Sequence, residues 1–259
     1  MEDKEAHLHQ YQASYPTVPF EPTQVHYRQL LILERLSRWH PQRIVEVGCG
    51  LHSLYARYLQ THPPVDQWLV VEPSPLFAER EGKRRLPRQT VVRGFFEDAW
   101  EAVRALMGEP PDFIVMAGLL HEVAHPPALL RAATALMGPH TVLHVSVPNR
   151  TSLHRRLALA MGLIDVLDAP SAINRALGQP RVYDQPQLAN ELERAGLTIV
   201  HAGGYFLKPF THAQMDAIAP LLGAQVLDGL FRLGEALPDL ASEIYCDAVL
   251  RPSGGNPER

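Results

Sequence analysis

Glu46, Gly48, Gly50 and Glu72 are the residues whose types and spacing point most directly to chemistry. The first three lie in Ile44-Val45-Glu46-Val47-Gly48-Cys49-Gly50, an apolar run that ends in an acid and two glycines. Leu51, Leu54, Tyr55, Tyr58 and Leu59 follow at i, i+3, i+4, i+7 and i+8 and make one apolar helical face. The pattern predicts a buried strand, a tight turn and a helix, the arrangement that brings backbone close to a nucleotide-like ligand. Gly48 and Gly50 suit such a turn, where a Cβ would block both the backbone angles and the ligand's approach. Glu72 closes the next apolar run, Gln67–Glu72, and stands 22 residues beyond Gly50. A carboxylate at that strand tip is placed to accept hydrogen bonds from ribose hydroxyls, and Pro73 opens the following turn. The hydride-transfer fingerprint requires a third glycine three positions after Gly50, where Ser53 stands, so the pattern departs from a nicotinamide site.

These residues resemble those of the class I S-adenosylmethionine-dependent methyltransferases, with Val45–Gly50 as the first motif and Glu72 as the second. Val91-Val92-Arg93-Gly94-Phe95-Phe96-Glu97-Asp98 resembles the segment after the third strand that lines the adenine. Phe95 and Phe96 are adjacent, so they point opposite ways, and Phe96 is expected to face the ligand beside Glu97, with Asp98 near the exocyclic amine. Asp112–Val123 resembles the fourth strand and its loop, which adds Ala117 and Gly118 to the expected cofactor set of Glu46, Gly48, Cys49, Gly50, Glu72 and Pro73. The Leu120-His121-Glu122-Val123 form, with Pro126 close behind, is most similar to the small-molecule branch that includes ubiquinone-biosynthesis-type O-methyltransferases. The resemblance covers about residues 43–150 and, more loosely, 182–250. It implies S-adenosyl-L-methionine as methyl donor, S-adenosyl-L-homocysteine as product, and a Rossmann-like seven-stranded, mostly parallel sheet of order 3-2-1-4-5-7-6.

The elements that must position these residues alternate strand and helix, which argues for an α/β fold with helices on both faces of a parallel sheet. Strands are expected near 43–47, 67–72, 89–93, 112–117 and 140–147, with helices near 51–61, 75–82, 98–108 and 126–138. A helical cap over residues 1–40 precedes them, its helix running about 23–39 with Thr23 as cap and Pro41 as stop. The methyltransferase domain then extends over 41–251. Its rhythm breaks at 150–180, which reads as two short inserted helices, 152–161 and 169–177, forming a lid with 11–30 and 205–230. Helix 185–196, strand 197–203, a helical pair over 211–234 and a last strand at 241–250 complete the pattern. The tail 252–259 is polar and glycine-rich and is expected to be disordered.

Methyl transfer is a displacement in which positioning supplies much of the acceleration, and a base helps where the acceptor is a hydroxyl. His121 follows the fourth strand at the edge where ligands bind in open α/β sheets, and an unperturbed imidazole can take a proton near neutral pH. It is the candidate catalytic residue; the alternative is a substrate-orienting role. Asn149, Arg150 and His154, just beyond the fifth strand, are the candidate substrate-binding residues, with capping as the alternative for Asn149. Tyr15, with Tyr11, Phe20, Tyr205 and Phe206, offers either aromatic surface for a planar acceptor or ordinary core. His144, inside a strand, reads as a core histidine. No Asp, Asp and Asn set follows the fourth strand, and no Asn-Pro-Pro-aromatic motif occurs, so a metal-independent enzyme acting on oxygen or nitrogen of a small metabolite is expected. An enzyme for peptide or carrier-bound substrates and a silent cofactor-binding module are the alternatives.

At 259 residues, 46% hydrophobic and 20% charged, the chain can bury a full core. A net charge of −4 gives no basic face for nucleic acid, and Arg84-Arg85 and Arg155-Arg156 read as solvated charges. Two cysteines encode neither a disulfide framework nor a cysteine-rich metal site. The charged start of the sequence is no secretory signal, and the apolar stretch around 157–167 is too short to span a bilayer. The expectation is a cytoplasmic monomer or homodimer without membrane or nucleic-acid partners.

Overall fold

The computed structural model describes residues 8–10, 12–170, 174, 175, 179 and 181–252. Its strands are β1 (Arg43–Val47), β2 (Gln67–Glu72), β3 (Gln89–Arg93), β4 (Phe113–Ala117), β5 (Val142–Pro148), β6 (Leu197–Tyr205) and β7 (Glu243–Leu250). They form one seven-stranded sheet of order β3-β2-β1-β4-β5-β7-β6. The first five are parallel, and β7 inserts antiparallel between β5 and β6. This is the order expected from the family resemblance. The helices are α1 (Glu21–Trp39), α2 (Leu54–Tyr58), α3 (Pro75–Gly82), α4 (Phe96–Met107), α5 (Pro126–Leu136), α6 (Leu153–Ala160), α7 (Gln185–Arg194) and α8 (His212–Ala236).

Alternation along the strands divides the core between the two sheet faces. Val45, Val47, Leu69, Val71, Ile114, Met116, Leu143 and Val145 pack under α4, α5 and α7. Ile44, Trp68, Val70, Phe113, Val115 and Val142 pack on the other face with α1, α2 and α3. The helix expected over 51–61 shrinks to α2, capped by Ser53, whose Oγ accepts the Ala56 N–H. So short a helix cannot stand on propensity. Packing holds it: Tyr55 stacks on Trp68 with ring centroids 4.4 Å apart.

The start of α1 differs from expectation. Its cap is Phe20, not Thr23, and Phe20 takes a left-handed φ of 62°. A bulky residue persists there because its side chain is buried and its N–H donates to Asp216 Oδ1 at 3.1 Å. Phe20, Tyr27, Tyr205, Phe206 and Phe231 form a third cluster, so three of the aromatics considered for the acceptor are core. Tyr11 lies outside the described residues. The helical pair over 211–234 is α8, divided at Gly223 (φ 70°, ψ 169°). By length and composition α8 is long and apolar enough to cross a bilayer, which the sequence reading assigned to no segment. Here its Met215 and Phe231 pack into the third cluster.

His144 is a core histidine: its Nδ1 lies 2.8 Å from Asp247 Oδ1, Arg35 closes on the same carboxylate at 2.8 Å, and its buried Nε2 has no partner among the described residues. Arg155 is a correction. It is buried, not solvated, and donates to the carbonyls of Leu167 and Ala169, tying 167–169 to α6. The second helix expected at 169–177 and the tail at 252–259 fall largely outside the described residues.

Candidate active site

The carboxyl ends of β1, β2 and β4 and the turns after them form one wall of a cavity of about 990 Å³. The first turn is tied down by Gly48 N–H, which donates to Val71 O at 2.8 Å. Glu72 organises the turn. One of its oxygens accepts the N–H of Cys49 at 2.9 Å and of Gly50 at 3.4 Å, and the other accepts the Ser74 N–H at 2.8 Å. Burial pushes the Glu72 pKa up, and these backbone donors oppose it. The carboxylate keeps acceptor capacity, since its two oxygens offer about four lone-pair sites. Glu46 accepts from Trp68 Nε1 at 2.9 Å. Burial raises its pKa to about 8, with Glu81 and Glu72 adding to the rise. Burial and Glu72 likewise push the Cys49 thiol up, which keeps it protonated as a small filler.

Pro73, Glu97, Ala117 and Gly118 all line this wall, as do both phenylalanines. The expected orientation of the pair is reversed in emphasis: Phe96 belongs to the main core, while Phe95 is half-buried at the wall. Asp98 is exposed and does not line the cavity. A Cβ built on Gly48, whose φ is 81°, would meet no protein atom within 4 Å, so the glycine keeps a cradle open at the wall. An open cradle, an acid at the β2 tip and an aromatic wall fit an adenosyl donor, which supplies an electrophilic methyl on a sulfonium.

The opposite wall is built by α1, the β4–α5 loop, the start of α6, the segment after β6 and the start of β7. Arg28 is its centre. Its Nε and Nη2 donate to the two oxygens of Glu243 at 2.9 and 2.6 Å, and its Nη1 reaches Glu21 at 3.3 Å. Gly118, at φ 65°, packs beneath the guanidinium: a Cβ there would stand 3.3 Å from Arg28 Cζ. Glu243 also accepts from Tyr205 Oη and from Gln24 Nε2 at 3.2 Å. Tyr15 Oη donates to Glu21 at 3.4 Å, and burial followed by Glu21 pushes that hydroxyl's pKa up.

His121 is buried on this wall, and its Nδ1 has no hydrogen-bond partner among the described residues. Its Nε2 is 3.6 Å from Glu122 Oε1. Burial, then the positive Arg28, brings the His121 pKa down to about 3 against the opposing pull of Glu243. The imidazole is therefore neutral at physiological pH. Glu122 accepts from Gln179 at 2.8 Å, and burial lifts its pKa to about 8. His154 faces the cavity with its Nδ1 3.1 Å from Ser152 Oγ, and burial together with Lys208, His212 and Arg155 holds its pKa well below the usual value.

Asn149 and Arg150 line the cavity, yet the protein itself occupies their polar atoms. Asn149 Nδ2 donates to Ala241 O at 2.9 Å and Asp239 O at 3.1 Å, and its Oδ1 accepts from Thr151. Arg150 pairs with Asp184 at 2.6 Å and with Asp168. Both clasp the loop, and Arg150 keeps two of its five N–H donors beyond these pairs. Arg28, Gln24, Lys208, His212 and Glu243, absent from the sequence reading, supply the polar surface. Among the described residues no group of three or more His, Cys, Asp or Glu side chains is placed to hold a metal ion.

A profile described as a methyltransferase domain matches residues 23–202, well over half the chain. No curated protein matches it. Many solved structures share its fold at low identity, and three illustrate them. The plantazolicin methyltransferase BamL, in complex with a triazolic desmethylPZN analogue and SAH, is 14% identical, with TM-score 0.56 over 96% of this chain and 97% of that one. An S-adenosylmethionine-dependent methyltransferase from Mesorhizobium loti is 18% identical, with TM-score 0.53 over 83% and 96%. The mitomycin 7-O-methyltransferase MmcR is 18% identical, with TM-score 0.50 over 82% of this chain and 49% of that one. With the profile match covering the donor wall and the sheet order agreeing, the chain belongs to the methyltransferase-domain family and is a class I S-adenosylmethionine-dependent methyltransferase.

Proposed function

We propose that the enzyme methylates an oxygen or nitrogen of a small metabolite held in the polar half of the cavity. The observation that carries this reading is continuity. One cavity of about 990 Å³ runs from the Gly48–Glu72 wall to His121, Tyr15 and His154. Small-molecule sites span roughly 300–1,000 Å³, so this one has room for a donor and a compact acceptor together. The fold is shared with a 7-O-methyltransferase, which is in keeping with a small acceptor.

His121 is the residue that would meet the acceptor. Its neutral imidazole, and an Nδ1 with no partner among the described residues, suit a hydrogen bond that aligns the nucleophile, and a pKa of about 3 makes it a weak base. Orientation, more than strong base catalysis, is the role this environment favours. The α6 segment, tied by Arg155 to Leu167 and Ala169, would close over the acceptor.

The experiment is transfer of labelled methyl to metabolite and protein fractions separately, then kinetics of His121→Ala on the acceptor found. Label confined to protein, or none in either fraction, defeats the proposal. For an orienting role, KM should rise about tenfold with kcat little changed. A base would show a kcat loss of about 10²–10⁴-fold with KM unmoved.

A further inference from the structure

Lys208 is 2% exposed. Among the described residues, its hydrogen-bond partners are neutral: Gln24 Oε1 at 3.0 Å and the His212 ring, with Nδ1 at 3.1 Å. A buried ammonium is costly unless an anion pairs with it. The cavity's acids are committed elsewhere. Glu243 is taken by Arg28, Tyr205 and Gln24, and Glu21 by Arg28 and Tyr15. Glu122, raised by burial to about 8, is mostly uncharged at neutral pH. Burial likewise brings Lys208 down to about 7, against the more distant pull of Glu21 and Glu243.

The groups packed beside Lys208 bring no negative charge to it. His212 lies against it and His154 lines the same cavity; burial, then Lys208, holds both imidazoles uncharged, so each keeps one N–H to donate. His154 is the second residue of α6 and His212 the first of α8, so two helices begin there with their positive ends. Lys208, His154, Arg155, Thr211 and His212 all line the cavity that also holds His121.

We propose that the corner formed by Lys208, His154 and His212 binds an oxyanion of the methyl acceptor, so that the acceptor is an anionic metabolite and Lys208 a specificity-determining residue. The inference rests on the small-molecule reading above. A carboxylate is the plainest candidate, because one such group could take the ammonium's remaining donor and the N–H of a neutral imidazole. A phosphate offers the same oxyanion chemistry.

The test uses the intact protein saturated with S-adenosylhomocysteine, titrated with benzoate, benzamide and phenyl phosphate by saturation-transfer NMR and calorimetry. Benzoate should bind about ten- to a hundredfold more tightly than benzamide, the range of a charge-assisted hydrogen bond. Lys208→Gln should erase that preference and Lys208→Arg keep it. Stronger binding of phenyl phosphate than of benzoate supports the site and assigns it to a phosphate. Equal binding of benzoate and benzamide by the wild type overturns the inference, even if the Lys208 variants fail to fold. So does a preference that survives Lys208→Gln. S-adenosylhomocysteine affinity, read in the same samples, separates the two levels. If it is absent, the enzyme reading itself falls; if it is intact without benzoate preference, only this inference does.

Discussion

In the donor half of the cavity, Glu72 gathers the amides of Cys49, Gly50 and Ser74, none more than 23 residues away. In the acceptor half, Arg28 and Glu243 meet across 215 residues, and Lys208 reaches Gln24 across 184. The first half is a local motif whose donors are backbone N–H groups, fixed once two strands and a turn are in place. The second is a side-chain network that exists only when α1, the β6–α8 segment and β7 have come together. A half built on backbone can be shared widely within a fold, and a half built on side chains can change its chemistry by substitution.

Removing Glu243 should break this contrast most severely. Glu243→Gln leaves the part-buried Arg28 with only its longer contact to Glu21, at a cost of about 3 kcal/mol, so the denaturant midpoint should fall with little change in slope. An unchanged midpoint would mean the network is solvated and not structural. Glu72→Ala should act on the donor half alone. Affinity for S-adenosylhomocysteine should drop about ten- to a hundredfold by calorimetry, the equivalent of about 1.5–3 kcal/mol. If affinity holds, Glu72 merely braces the turn.

Glu46 gives a smaller effect of opposite sign. Its folded pKa of about 8 lies above the ordinary carboxylate value. The stability it contributes is therefore full below that ordinary value and is lost as pH rises towards 8. Glu46→Gln should keep the Trp68 hydrogen bond, gain about 2 kcal/mol at pH 7, and flatten stability between pH 5 and 8. Thermal denaturation across that range checks it. An unaltered pH slope would show that the carboxyl ionises freely in the folded protein.

The donor half was legible because its signals are short-range. Glycines, the acid at a strand tip and the alternation of apolar residues are read within one element or two. Where local cues were ambiguous they misled. Thr23 looked like a cap, but tertiary contacts of Phe20 and Asp216 set the start of α1. Adjacent Phe95 and Phe96 could not reveal which one the core would claim. Asn149 and Arg150 had the right position and chemistry for a ligand, but carbonyls at 239 and 241 and the acids Asp168 and Asp184 take them first. One signal for the acceptor half was present. Arg28 and Arg35 lie two turns apart on one face of a helix, about 10 Å along its axis. Glu243 and Asp247 lie four apart on one face of a strand, about 13 Å. The two rows match, and the structure joins them as Arg28–Glu243 and Arg35–Asp247.

That separation along the chain also sets an order in time. At roughly 5–20 residues per second, synthesis delivers Glu243 about ten to forty seconds after Arg28. Until then Arg28 and Arg35 on α1 lack the carboxylates that β7 brings, while β1 to β4 and their glycine turn are already made. The nascent chain thus has the parts for a donor cradle long before it has an acceptor pocket. Because β7 lies between β5 and β6, both the sheet and the Arg28–Glu243 pair wait for it.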